Sequence, residues 1–145
     1  MAAMAPLQKM FHTILAAKST VTDLVGEKIR PDANKQDDKP PAIYIEVMED
    51  EPVDDLGSDS DAGTGRAQVQ VVCVGHTRKE AIDVANVVRP ALADYRGTVN
   101  SVALQAVQFS GVNRNYEPPL DGSDEQPWFS EALTFYVFYG PGGPT

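Results

Sequence analysis

Carboxylates are the residues most able to do chemistry in this sequence. Seven of the 21 acidic residues lie between positions 49 and 61, with no Lys or Arg among them. Acid–base catalysis by paired carboxylates needs side chains held in place on rigid elements. A Gly/Ser-rich acidic segment repels itself and has little apolar surface to bury. We therefore predict a mobile acidic loop at 49–65 and no catalytic pair within it.

Metal binding is the next chemistry to weigh. The segment 59–63 (DSDAG) has a faint likeness to a calcium loop, but it lacks the further oxygen ligands and the closing glutamate between two helices. His12 and His76 are the only histidines, and neither has a cysteine or carboxylate at metal-ligand spacing. The sequence predicts no metal site. A saturable, divalent-dependent stabilisation of the protein would instead favour a metal-assisted enzyme.

The sequence also lacks the usual motifs of nucleophilic catalysis and of phosphate binding. Cys73 lies between Val72 and Val74 in an apolar strand, which predicts a buried, inert thiol. The segment 63–66 (GTGR) precedes a strand, whereas a phosphate loop needs a following helix. Serine occurs in no GxSxG context. We predict a protein that is not an enzyme, with no catalytic residue and no cofactor.

Charge and composition exclude further classes. A net charge of −9 argues against a sequence-independent DNA-binding surface, which needs basic residues. One cysteine permits no internal disulfide, and no apolar run reaches the length of a membrane span. Polar residues interrupt the apolar stretch at the N-terminus, so we predict no secretory signal and an intracellular protein.

The hydrophobic periodicity predicts two main helices. Apolar residues at 7, 10, 11, 14 and 15 form one stripe of a first helix that begins at Pro6 and ends near Lys18, followed by a short turn up to Gly26. Thr77 and Glu80 form a capping box for a second helix, with Gly97 after its end. Pro90 within that helix predicts a kink or break near Asn86.

Four segments have strand character: 42–48, 66–74, 98–109 and 128–139. The element order is therefore α-β-β-α-β-β, which predicts an α+β fold. In it, one mainly antiparallel four-stranded sheet carries the two main helices on one face. We predict a single domain at 1–140, with the mobile acidic loop at 49–65, a long loop at 111–127 and a flexible tail at 141–145.

Four stretches of the chain together resemble the tail-terminator, or tail-completion, proteins of long-tailed bacteriophages. They are the opening helix with the segment 19–31, the entry into the first strand at 39–45, the strand and helix at 66–92, and the aromatic strand at 128–139. The acidic insert at 49–63 is longer and more charged than the family pattern.

The resemblance implies a structural virion protein at the head-proximal end of the tail, made in the cytoplasm of the host bacterium. It implies a homo-oligomeric, hexameric ring that caps the tail tube, stops tube polymerisation and offers a surface to the head-side connector. DNA would pass through the lumen without specific binding, and neither a cofactor nor a membrane is implied. The acidic charge would suit such a conduit by repelling DNA, or would simply confer solubility.

The sequence also suggests contact residues for this assembly. Arg and Tyr are enriched at interface hot spots, and the aromatic strand has a second apolar face that either meets another subunit or fills the subunit's own core. We expect the loops at 49–63 and 111–127 to be ordered mainly against a partner. The candidate interface residues are Asp54, Asp55, Asp59, Asp61, Arg66, Arg114, Tyr116, Tyr136 and Phe138.

Two other functions remain open at this point. A head-closure or neck adaptor protein would be built from the same elements and would differ in binding the head-side connector first. A small regulatory domain that binds a metabolite or a protein would need a preformed apolar pocket, which no pattern in the sequence marks.

Overall fold

Three helices and six strands make up the described part of the chain. The computed structural model describes residues 6–30, 41–52, 65–93, 95–99, 102–117 and 128–141. The elements are α1 (Pro6–Ala16), α2 (Ser19–Val25), β1 (Ile29–Arg30), β2 (Ala42–Pro52), β3 (Gly65–Gly75), α3 (Arg78–Leu92), β4 (Gly97–Val99), β5 (Val102–Glu117) and β6 (Trp128–Pro141).

The strands form one mixed sheet in the order β1-β2-β3-β6-β5-β4. Only β1 and β2 run parallel; the other neighbours are antiparallel. The α+β class and the mainly antiparallel sheet are confirmed, but four strands was too few. The segment predicted as one strand at 98–109 forms the end of β4 and the start of β5, which pair as a hairpin. The two-residue β1 is too short for any periodicity and exists because Ile29 pairs with Ile43.

The core lies between the helices and one face of the sheet. All five residues of the α1 stripe are buried, as the period predicted. The Phe11 ring meets Phe135 of β6 edge-on at 6.2 Å between centroids, and Phe135 meets Phe109 of β5 at 5.7 Å. These contacts fix which face of β5 and β6 points towards the helices: that of Phe109, Leu133, Phe135 and Val137.

Local signals set the ends of the helices. Gly26 has a φ of 62° after α2, a backbone conformation that glycine adopts without strain. Thr77 Oγ1 accepts a hydrogen bond from the Glu80 N–H at 3.0 Å, and Glu80 Oε1 accepts one from the His76 N–H at 2.8 Å. The predicted break near Asn86 is absent, since α3 continues to Leu92 and Pro90 lies in its last turn.

Parts of both predicted loops belong to strands. Residues 49–52 extend β2, where Glu51 pairs with Arg66, and Gly65 already belongs to β3. Residues 111–117 continue β5 and pair with β6 up to Trp128. Strand pairing overrides the turn-like composition here, because each residue gains a partner on the neighbouring strand. The prediction of a loop over 111–117 is therefore wrong. Segments 53–64 and 118–127 lie outside the described residues.

The first residue of the predicted tail, Pro141, belongs to the sheet. Gly140 and Pro141 belong to β6, where Pro141 pairs with Val102. Residues 142–145 lie outside the described part of the chain. Among the described residues, no helix is long and apolar enough to cross a membrane.

Candidate functional site

A buried carboxylate with two arginines lies on the helix-facing side of β5 and β6. Glu131 is 2% exposed and accepts hydrogen bonds from Arg114 Nε to both of its carboxylate oxygens at 3.0 Å. Arg78 Nη1 donates to Glu131 Oε2 at 3.1 Å. Two guanidinium groups therefore share one carboxylate, which leaves the cluster with one excess positive charge.

Strand register and the start of α3 bring these three side chains together. In the sheet, Glu131 pairs with Cys73 on one side and with Arg114 on the other. It lies two residues before Leu133, and thus on the same face as the core. Arg78 is the first residue of α3, which follows directly on β3. Gly75 allows this tight turn, because a Cβ there would lie 2.6 Å from the backbone nitrogen of Ala81.

Two aromatic rings extend the cluster towards the end of the sheet. Phe129 and Tyr116 pair in the ladder, and their ring centroids are 4.9 Å apart. The Arg78 guanidinium lies over the Phe129 ring at 5.2 Å from its centroid, a cation–π contact. The ring of Phe129 therefore contacts both Arg78 and Tyr116.

The outer part of this cluster is open to solvent. The side chain of Arg114 is 59% exposed, Tyr116 is 51% exposed and Val112 is 38% exposed. Only Nε of Arg114 is used by Glu131; its two terminal nitrogens have no hydrogen-bond partner among the described residues. An anchored arginine beside an exposed tyrosine is typical of a protein contact site. We call Val112, Arg114, Tyr116 and Arg78 the arginine surface.

The face of the sheet away from the helices is a second exposed surface. Tyr136 is 39% exposed and pairs with Gln68 and Gln108, while Phe138 is half-buried and pairs with Arg66. Towards the other end of this face, Tyr44 is buried with Ala42 and Val74 in a small separate cluster. One of the two interpretations of the aromatic strand required Tyr136 to fill the subunit's own core. Its exposure shows that it does not.

The predicted contact residues thus fall into separate places. Arg114 and Tyr116 lie together on the arginine surface, whereas Tyr136 and Phe138 lie on the opposite face of the sheet. Arg66 is exposed on β3. Four predicted residues lie outside the described part of the chain: Asp54, Asp55, Asp59 and Asp61.

Sequence reasoning missed Glu131 and Arg78. The signal for Glu131 was present, because the two-residue period places it on the apolar face of the closing strand, where a charge needs partners. Arg78 gave no comparable signal, since its role depends on how α3 packs on β6.

The thiol of Cys73, which neighbours Glu131, is inaccessible. Cys73 is fully buried; burial raises the pKa of its thiol well above the usual range, and the neighbouring Glu131 carboxylate raises it further. A protonated, inaccessible thiol is a poor nucleophile. No group of three His, Cys, Asp or Glu in the described ranges could hold a metal ion.

Comparison with known proteins shows which structures and which family this chain is similar to. The chain is similar to a protein chain in the solved virion of a native gene transfer agent particle, with a TM-score of 0.62 and 15% sequence identity. The likeness covers 92% of this chain and 94% of that chain, and at this identity it bears on the fold alone. No curated protein sequence matches the chain. A family model described as tail completion protein gp17 matches residues 10–120. The chain therefore belongs to the tail completion protein gp17 family, a family of structural, non-enzymatic components of the phage tail.

Proposed function

We propose that this chain is a tail terminator, a protein whose six copies form a ring on the last ring of the tail tube. The ring stops further tube polymerisation and presents a surface to the head-side connector, while DNA passes through its lumen. Membership of the tail completion family supports a role at the tail, and the arrangement of the sheet supports a ring.

The observation that carries the proposal is a pair of uncovered sheet edges. The outer edge of β5 from Ala106 to Glu117 has no strand beside it among the described residues, because β4 pairs only as far as Leu104. The outer edge of β2 after Tyr44 is likewise without a described neighbouring strand, because β1 ends there. Unpaired edges favour association with another chain. Two different edges on opposite sides of one subunit suit head-to-tail contacts that close into a ring.

Electron microscopy of particles made without this protein tests the proposal. The parent phage or prophage is produced with this reading frame deleted. Overlong tubes beside full, tailless heads are the result expected for a terminator. Tails of normal length that fail to join leaking heads would assign the protein to the neck instead. Intact, infectious particles would exclude both functions.

A variant of the exposed sheet face tests whether this face takes part in the ring. We predict that Tyr136→Asp prevents oligomerisation and leaves a soluble, folded monomer, because the side chain is exposed and a charge would oppose an apolar contact there. Leu24→Asp on α2 is the matched control, since Leu24 and Tyr136 are both 39% exposed. Complementation of the deleted strain with each variant measures tail length, and sedimentation measures the oligomer. Tails of normal length in the strain complemented with Tyr136→Asp would show that this face is not part of the ring contact.

A further inference from the structure

We propose that the arginine surface binds the acidic run at residues 49–61 of a second copy of this chain. This inference rests on the proposed ring and names the charged contact between neighbouring copies. It starts from the excess charge of the cluster, because Glu131 neutralises only one of the two guanidinium groups that it holds.

The buried carboxylate prepares Arg114 for a second partner. Glu131 binds Nε of Arg114 and fixes the orientation of the guanidinium plane, while both terminal nitrogens stay available. An arginine fixed in this way can donate two parallel hydrogen bonds to a further carboxylate. Its side chain loses less conformational freedom on binding than a free surface arginine would. Tyr116 and Val112 add exposed apolar area beside the charge.

The chemistry of the expected partner is therefore acidic with some apolar character. Within this chain, the run 49–61 has that composition: seven carboxylates with Val53 and Leu56 between them, and no basic residue. Contact between opposite charges also directs the encounter of two subunits that otherwise repel each other at a net charge of −9.

The geometry of the sheet disfavours the same contact within one copy. Gly65, where β3 resumes after the acidic run, pairs with Tyr139, whereas Arg114 pairs with Glu131. These two positions on β6 are eight residues apart, or about 26 Å along the strand. No acidic residue of the run is more than six residues from the nearer strand end, and six extended residues span at most about 22 Å.

In the sequence, the acidic run thus continues from the end of β2 that pairs with the start of β3, the end of the sheet away from Arg114. A neighbouring copy displaced along the strand direction brings its acidic end to the arginine surface of the first copy. Repeating the contact uses one acidic run and one arginine surface per copy, as a head-to-tail ring requires.

Photo-crosslinking tests this contact in assembled particles. A photoreactive amino acid replaces Val112 in the full chain, and particles are purified and irradiated. The expected product has twice the mass of the chain, and peptide mapping places the link within residues 49–61 of the second copy. The same amino acid at Leu24, far from the arginine surface in the chain, is the control and is expected to give no link to that run. A link from Val112 to another virion protein, to its own chain, or to no partner overturns the inference.

Charge exchange provides a second, independent readout. Arg114→Glu and the pair Asp59→Lys with Asp61→Lys are each expected to reduce the crosslinked product at least tenfold, and their combination is expected to restore it. Arg96→Glu carries the same charge change at an exposed arginine outside the arginine surface and is expected to leave the product unchanged. A combination as defective as the single changes would reject the pairing.

The two proposals fail in different ways. If the deletion strain makes normal tails, the terminator function fails whatever the crosslink shows. Suppose instead that the deletion strain makes overlong tails and that complementation with the Arg114→Glu variant restores normal tails although the crosslinked product is lost. The terminator function then stands, and the proposed charged contact is wrong.

Discussion

Glu131 has two cationic partners, and that redundancy has a measurable consequence. Each arginine is partly exposed and can be solvated alone, but the carboxylate is buried and cannot. We predict that Arg78→Ala and Arg114→Ala each lower the free energy of unfolding by about 1 kcal/mol. The double variant should lose about 3 kcal/mol or more, because an unpaired buried charge remains. Urea denaturation of the four proteins measures the non-additivity.

A third change separates the charge from the packing. Adding Glu131→Gln to the double variant removes the buried charge and keeps the side chain's size, so stability should partly return. Strictly additive losses, with no gain from the added substitution, would contradict the role assigned to this carboxylate.

The sequence indicated that Arg114 and Tyr116 are candidate contact residues. It did not indicate why they lie together. Their composition suggested a loop, whereas the pairing of Tyr116 with Phe129 makes them part of β5. Interface-prone residue types are visible in a sequence. Which of them share a face depends on the register between two strands that are distant in the chain.

The capping box of α3 is the best example of an element specified locally. Thr77 accepts from the Glu80 N–H, and the Glu80 carboxylate reaches back to the N–H of His76. We predict that Thr77→Ala lowers the free energy of unfolding by about 1 kcal/mol, because a helix N–H loses its acceptor. Thr77→Ser keeps the hydroxyl and should lose much less. Thermal and urea denaturation compare the stability of the three proteins. Equal stability of the alanine and serine variants would show that the Thr77 hydroxyl does not stabilise the helix.

The elements that the sequence predicted well are those with local or periodic signals. The five-residue apolar stripe of α1, the cap at Thr77 and the stop at Gly26 depend on residues near one another. The elements it missed need a distant partner. Two residues at Ile29 form a strand only beside Ile43, and the acidic residues 49–51 extend β2 only because β3 lies alongside.

The stability of the whole molecule should decline in alkaline solution because of Cys73. The unfolded thiol loses its proton above about pH 8.5, whereas the native thiol keeps it, since burial and then Glu131 raise its pKa. The native state therefore binds more protons, and raising the pH favours unfolding. From about pH 8.5 upward, this residue should reduce stability by up to about 1.4 kcal/mol per pH unit.

Comparison with Cys73→Ala isolates this effect from other alkaline titrations. The wild-type curve of unfolding free energy against pH should fall more steeply than that of the variant above about pH 8.5. Parallel curves would mean that the native thiol ionises as readily as the unfolded one. Thiol-directed reagents should likewise modify the native protein only as fast as it unfolds.

The central position of β6 affects how the subunit is made on the ribosome. This strand is encoded after all the others in the described chain, yet it lies between β3 and β5 and pairs with both. Until residues 128–141 have been synthesised, these two strands have no common neighbour and the helices have only part of the sheet to cover. The nascent chain therefore exposes its apolar strands through most of its synthesis, a period in which chaperone protection matters most. The same order delays the anchoring of Arg114, because its partner Glu131 is synthesised later.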